Sequence, residues 1–180
     1  MKVTKVRSLF VIGVLGLSSL VFAAPGSAGA SGSTPMSVTI TGGFLSITVP
    51  SATAEMGSHQ NTVAGETVSA SLGEVQVDDA RSAAAGAGWV ATVIATAFTP
   101  AAGPTIAAST MSYSAGTVAK VGTATYTDND PDDLSVASAA VTATAITGDN
   151  SATWSPTITI AIPGGMAAGG YTATITHSVA

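Results

Sequence analysis

The chain has 180 residues, no cysteine, and charge on only 8% of its positions. Its stability must therefore come from packing, and a single domain of this size buries about 68–70% of its unfolded surface. Ten carboxylates face five basic residues, and after residue 7 only Arg81 and Lys120 are basic, which argues against nucleic acid or anionic lipid as a partner.

The chain opens with the basic stretch "MKVTKVR", and the apolar run Ser8 to Ala24 follows it. Ala28, Gly29 and Ala30 then form a small-residue A-x-A site, so residues 1–30 read as a secretory signal peptide cut after Ala30. A second candidate cut lies at Val21 to Ala23. A retained membrane anchor is the alternative, but a 17-residue run is at the short limit for spanning. Cleavage leaves Arg81 and Lys120 against all ten carboxylates, with no later apolar anchor and no LPxTG-like signal. The expected product is a secreted protein, not in the membrane after cleavage.

Residues 31–36 read as a flexible leader and 37–180 as one domain. Its pattern is period two. Leu45, Ile47 and Val49 alternate with Ser46 and Thr48; Trp89, Ala91, Val93 and Ala95 form one phase; Tyr171, Ala173, Ile175, His177 and Val179 form another. Threonine and β-branched residues suit a pleated surface with one buried face. Between Leu72 and Val75 the phase slips by one at Gly73, which predicts a β-bulge. Turn compositions occur at 41–43, 83–88, 99–104, 127–133, 147–150 and 163–170. Residues 134–146 are alanine-rich, but their Val and Thr content favours strand over helix. The expectation is an all-β fold: an antiparallel, immunoglobulin-like β-sandwich of roughly eight to ten short strands.

Little in the sequence points to catalysis, and the chain is read as a non-enzyme without a cofactor. There is no cysteine nucleophile and no G-x-S-x-G motif, and His59 and His177 are the only histidines. His59 lies in the loop-like "GSHQN", whereas His177 shares the phase of Ile175 and Val179. The sharpest polar cluster is "TDNDPDD", with Asp128, Asp130, Asp132 and Asp133. Alternating oxygen ligands suit Ca²⁺. The EF-hand pattern fails, however, and Asp and Asn beside Pro131 equally make a solvated turn, so no metal ligand is assigned.

Three stretches carry a family resemblance: "GGFLSITVP", then "LGEVQVDDARSAAAGAGWVATVIATAF", and finally "ATWSPTITIAIPGGMAAGGYTATITHSVA". In order and spacing they resemble the WxL domain of Gram-positive surface proteins, in its actinobacterial form. The matching features are V-x-D-x-R at Val77, Asp79 and Arg81, the G-W opening at Trp89, and the W-x-P and G-Y-T strands. The resemblance implies noncovalent attachment to the cell wall through peptidoglycan, without catalysis. The leucine of the motif is absent from both tryptophan positions, which read Trp89-Val90-Ala91 and Trp154-Ser155-Pro156.

The candidate ligand-binding residues are Trp89, Trp154, Asp79 and Arg81. Trp154 is in phase with Pro156, Ile158, Ile160 and Ile162, and Trp89 with Ala91 and Val93, which favours the core for both rings. Arg81 can pair with Asp79 or Asp78, or clamp a peptide carboxylate. An adhesive subunit that binds other surface proteins through a threonine-rich sheet or edge strands is the alternative to a wall-binding module.

Overall fold

The computed structural model describes residues 32–60 and 62–180. The expected signal peptide, 1–30, and both candidate cleavage sites lie outside the described residues. Contacts divide the chain into two units, Met1–Thr39 and Ile40–Ala180. The described part of the first, residues 32–39, contains no strand or helix.

The second unit is all β. Its strands are β1 (Leu45–Thr48), β2 (Glu66–Ser71), β3 (Val75–Ala95), β4 (Thr99–Pro100), β5 (Met111–Ser114), β6 (Ala119–Asp128), β7 (Ser138–Trp154), β8 (Thr157–Ile162), β9 (Tyr171–Thr172) and β10 (Ile175–Val179). Every strand pairing is antiparallel. One sheet runs β1-β3-β7-β6, a second runs β2-β8-β5, and β4 and β9 form a short pair. Because β7 occupies one side of β3, β1 and β10 share the other, against Gln76–Asp79 and Ala91–Ala95 respectively. Side chains of the two larger sheets meet in one core, with Val77, Trp89 and Val141 from the first and Met111, Ile158 and Ile160 from the second. The result is the expected antiparallel sandwich.

The link between the sheets is a shared corner. β2 and β8 pair through Ser71 and Thr157, and β3 and β7 through Val75 and Trp154. Between these pairs, Leu72 N–H donates to Pro156 C=O at 2.9 Å. Both chains thus pass from one sheet to the other at the same place. This corrects the bulge expected at Gly73: the phase slip marks a corner between two strands instead of an extra residue within one. Gly73 has φ +90°, and a Cβ there would meet Pro50 Cγ at 3.0 Å, so the turn favours glycine on both counts.

Two other segments differ from their sequence reading. Residues 83–88 and 147–150 have turn compositions, yet they lie inside β3 and β7, where Ala83 is opposite Gly148 and Ala87 opposite Ile146. The register shifts at these points, so the glycines serve bulges, not chain reversals. Ser82, at φ +53°, is held there by Asp149, whose Oδ1 accepts from its N–H at 3.0 Å and its hydroxyl at 3.1 Å. The stretch 171–179 keeps its alternation but is divided between β9 and β10. Val49 lies beyond β1 and is 44% exposed.

Candidate functional site

The four candidate residues fall into two polar clusters inside the sandwich. Trp89 and Trp154 are 2% and 1% exposed, so neither offers a face on which a sugar ring could stack. Each ring buries about 150–250 Å², worth roughly 4–6 kcal/mol as an upper estimate. A buried indole N–H also needs an acceptor, and each finds a different one.

The first cluster lies where β3 and β7 pair. Arg81 donates through Nε to Asp79 Oδ1 at 2.8 Å and through Nη2 to Asp79 Oδ2 at 2.9 Å, a two-pronged ion pair. The Asp79 side chain is fully buried, while that of Arg81 is 36% exposed. The Arg81 side-chain hydrogen bonds hold the Asp79 carboxyl below its ordinary range, against the opposing effect of burial. Asp78 instead accepts from Gln76 Nε2 at 2.8 and 2.9 Å, so the choice between the two aspartates falls on Asp79. Asn150 joins the pair to the first indole. Its Nδ2 donates to Asp79 Oδ2 at 3.3 Å, and its Oδ1 accepts from Trp89 Nε1 and from the Tyr126 hydroxyl, both at 3.1 Å.

The second cluster is a relay across the sheets. Trp154 Nε1 donates to the Tyr113 hydroxyl oxygen at 2.7 Å, and that hydroxyl lies 3.2 Å from His177 Nε2. The indole can only donate, so the tyrosine proton is left for His177, whose own ring proton then sits on Nδ1. Burial pushes the Tyr113 phenol up and the His177 imidazole down from their ordinary values.

This arrangement makes the fold acid-sensitive. Between the lowered value of the folded imidazole and about 6.5 in the unfolded chain, only the unfolded state takes the proton. The His177 contribution is therefore complete above about pH 6.5 and declines as pH falls below that value. Urea denaturation at pH 7.5 and pH 5 should show a larger loss for the wild type than for His177→Gln, which keeps an acceptor for Tyr113 without titrating. Equal losses in the two proteins would refute this role.

The Asp-rich loop serves β5 and its own turn. Asp130 Oδ1 accepts from Ala115 N–H at 2.8 Å, and Asp133 Oδ1 from Ser135 N–H at 2.8 Å. Hydrogen bonds from the Ser135 side chain and backbone lower the Asp133 carboxyl. Among the described residues no three His, Asp or Glu side chains converge as metal ligands.

Sequence reasoning did not single out the concave surface. Two adjoining recesses, each of about 450 Å³, share Glu55, Met56, Gly57, Phe98 and Tyr171. The first is lined by Val68, Ile160 and Ile162 and also by His59 and Glu66. His59 Nδ1 lies 3.2 Å from Glu66 Oε1, and Nε2 lies 2.7 Å from Met56 C=O. Both ring nitrogens thus face acceptors, and neither hydrogen-bonds a described serine. His177 lines the second recess with Nε2 already engaged by Tyr113.

The signal for the buried clusters was present but incomplete: two inward tryptophans require two polar partners, yet Asn150 sits in a turn-like "TGDN" and Tyr113 in a short strand. Compared with known proteins, the chain matches no family model and no curated protein.

Proposed function

We propose that this chain is a secreted cell-surface module that attaches noncovalently to the Gram-positive cell wall, through peptidoglycan, and catalyses no reaction. The support from sequence is the ordered resemblance to WxL domains over the sandwich. The observation that carries the reading further is the double recess, lined by the apolar Val68, Phe98, Ile160 and Ile162 together with the polar groups of His59, Glu66 and Tyr171. Sugar rings present an aliphatic face and a rim of hydroxyls, and such a surface complements both.

Trp89, Trp154 and Asp79 are spent inside the fold, which leaves the recesses as the contact surface in this proposal. Charge limits what they can take. With two cations against ten carboxylates beyond residue 30, the module is repelled by wall phosphate and carboxylate, so the contact is to neutral glycan. Added salt should then preserve or strengthen binding, opposite to a protein that binds phosphate by counterion release.

Co-sedimentation of the purified chain with insoluble peptidoglycan, over a salt series and with or without chelator, tests the proposal. Retention that persists or rises with salt and ignores chelator is the expected result. No co-sedimentation at any salt concentration would overturn it. Recovery of surface proteins without glycan would favour the second reading, an adhesive subunit, which the outer edge of β6, unpaired among the described residues, supports.

A further inference from the structure

Residues 36–44, "MSVTITGGF", carry the alternation that builds the sandwich, with Met36, Val38 and Ile40 on one phase and Ser37, Thr39 and Thr41 on the other. The stretch 36–43 nevertheless belongs to no strand. Met36 is 94% exposed, Val38 and Ile40 are each 85% exposed, and Phe44 is 76% exposed. Elsewhere among the described residues, exposed large apolar side chains occur singly, at Val49, Val63, Val121 and Val136. Single cases need no explanation, but an alternating row of them does.

Pairing along β3 ends just after this row. Gly43 N–H donates to Ala80 C=O at 2.6 Å, and Ala80 N–H to Phe44 C=O at 3.2 Å. Gly42 approaches the neighbouring backbone so closely that a Cβ would meet Arg81 C=O at 2.8 Å. Beyond these glycines the strand pattern continues, and none of the described strands pairs with it.

The opposite edge of the same sheet has the complementary lack. β6 is ten residues long and, among the described residues, pairs only with β7, so no described strand pairs with its outer N–H and C=O groups. Natural edges are guarded by charge, proline or bulges. Lys120 and Asp128 guard the ends of β6, and its register against β7 shifts between Val121 and Thr123 and again between Thr123 and Thr125, but Thr125 to Asp128 pair in unbroken register and "TATYT" at 123–127 carries neither charge nor proline. Residues 32–44 are also uncharged, so no like-charge repulsion opposes a pairing. Ala124 and Tyr126 pack against the core from β6, and an added strand with one apolar phase would extend that cover.

We infer that residues 36–41 of one copy add as an antiparallel or parallel strand to the free edge of β6 in a second copy. Main-chain hydrogen bonds supply the attachment, and burial of Met36, Val38 and Ile40 adds to it. The arm precedes β1, and β1 and β6 lie at opposite edges of one sheet. The arm and the edge are different surfaces, so reciprocal exchange between two copies closes a dimer, and one-way repetition gives a ring or filament.

Sedimentation velocity over a concentration series, without any wall material, tests this independently of the wall-binding proposal. The purified wild-type chain should form larger species as concentration rises. The double variant Val38→Asp, Ile40→Asp should remain monomeric with an unchanged melting temperature, and a labelled peptide of residues 34–44 should bind that monomer and shorten wild-type assemblies. A wild type that stays monomeric throughout, or a variant that assembles like it, overturns the inference. So does a variant with a lowered melting temperature, since that outcome assigns the arm to its own chain, and so does a peptide that fails to bind.

Discussion

Trp154→Ala is expected to cost about 3–5 kcal/mol of folding stability. The ring is 1% exposed in the common core, and it stands at the corner where β7 gives way to β8. Its loss opens a cavity that a corner fixed by Pro156 and Gly73 cannot easily collapse, and it removes the donor to Tyr113. Trp154→Phe separates the two effects, because it retains a ring but not the N–H; its cost should be smaller, about 1–3 kcal/mol. Denaturant unfolding of the three proteins gives both numbers. An unchanged midpoint in Trp154→Ala, with wall binding lost, would make the ring a contact residue and contradict the buried assignment. Folded domains are stable by about 5–15 kcal/mol, so the alanine variant should lose a large part of the total.

Arg81→Ala is expected to cost about 3 kcal/mol at neutral pH, the lower end for a buried pair because the guanidinium is 36% exposed and partly screened. The loss arises at Asp79, whose buried carboxylate would keep Asn150 and the residue 81 N–H as donors but no cation. Arg81→Lys should recover only part of it, since an ammonium cannot make both prongs of the contact. The pH dependence identifies the cause. A depressed carboxyl contributes fully above its unfolded value of about 3.9 and loses that contribution as pH falls through the lower folded value. The stability difference between wild type and Arg81→Ala should therefore be largest near pH 7 and shrink toward pH 3. Urea midpoints at the two pH values check this; a difference that does not change with pH would place the effect in packing.

Residue phase was readable from sequence wherever one strand face meets the core. Trp89, Ala91, Val93 and Ala95 are all buried, as are Trp154, Pro156, Ile158 and Ile160. The alternation from Tyr171 to Val179 also survives the division into two strands. What was not readable depends on distant partners. A glycine-rich stretch has the same composition in a reversal and in a bulge, because both use positive φ. Only the pairing of Ala83 with Gly148 and of Ala87 with Ile146 tells the two apart, and that pairing joins residues far apart in sequence. Asn150 was missed for the same reason: its role lies in the indole and carboxylate that β3 brings to it. The recess at His59 and Glu66 brings the segment 55–60 against β2, β8 and the turn at 163–170, which are far apart in sequence, so no local pattern announced it.

The shared corner bears on the order in which the chain acquires its structure. β2 and β3 follow one another in sequence, as do β7 and β8, and each pair crosses the sandwich beside the other. Closing the long intervening loop is the slow, entropically costly event of such a topology. Once Val75 meets Trp154, the short link through Leu72 and Pro156 brings Ser71 to Thr157 as well. Alignment at this one place therefore sets the register of both sheets, and a one-residue misalignment there would turn Trp154 out of the core. The corner ties the register of one layer to that of the other.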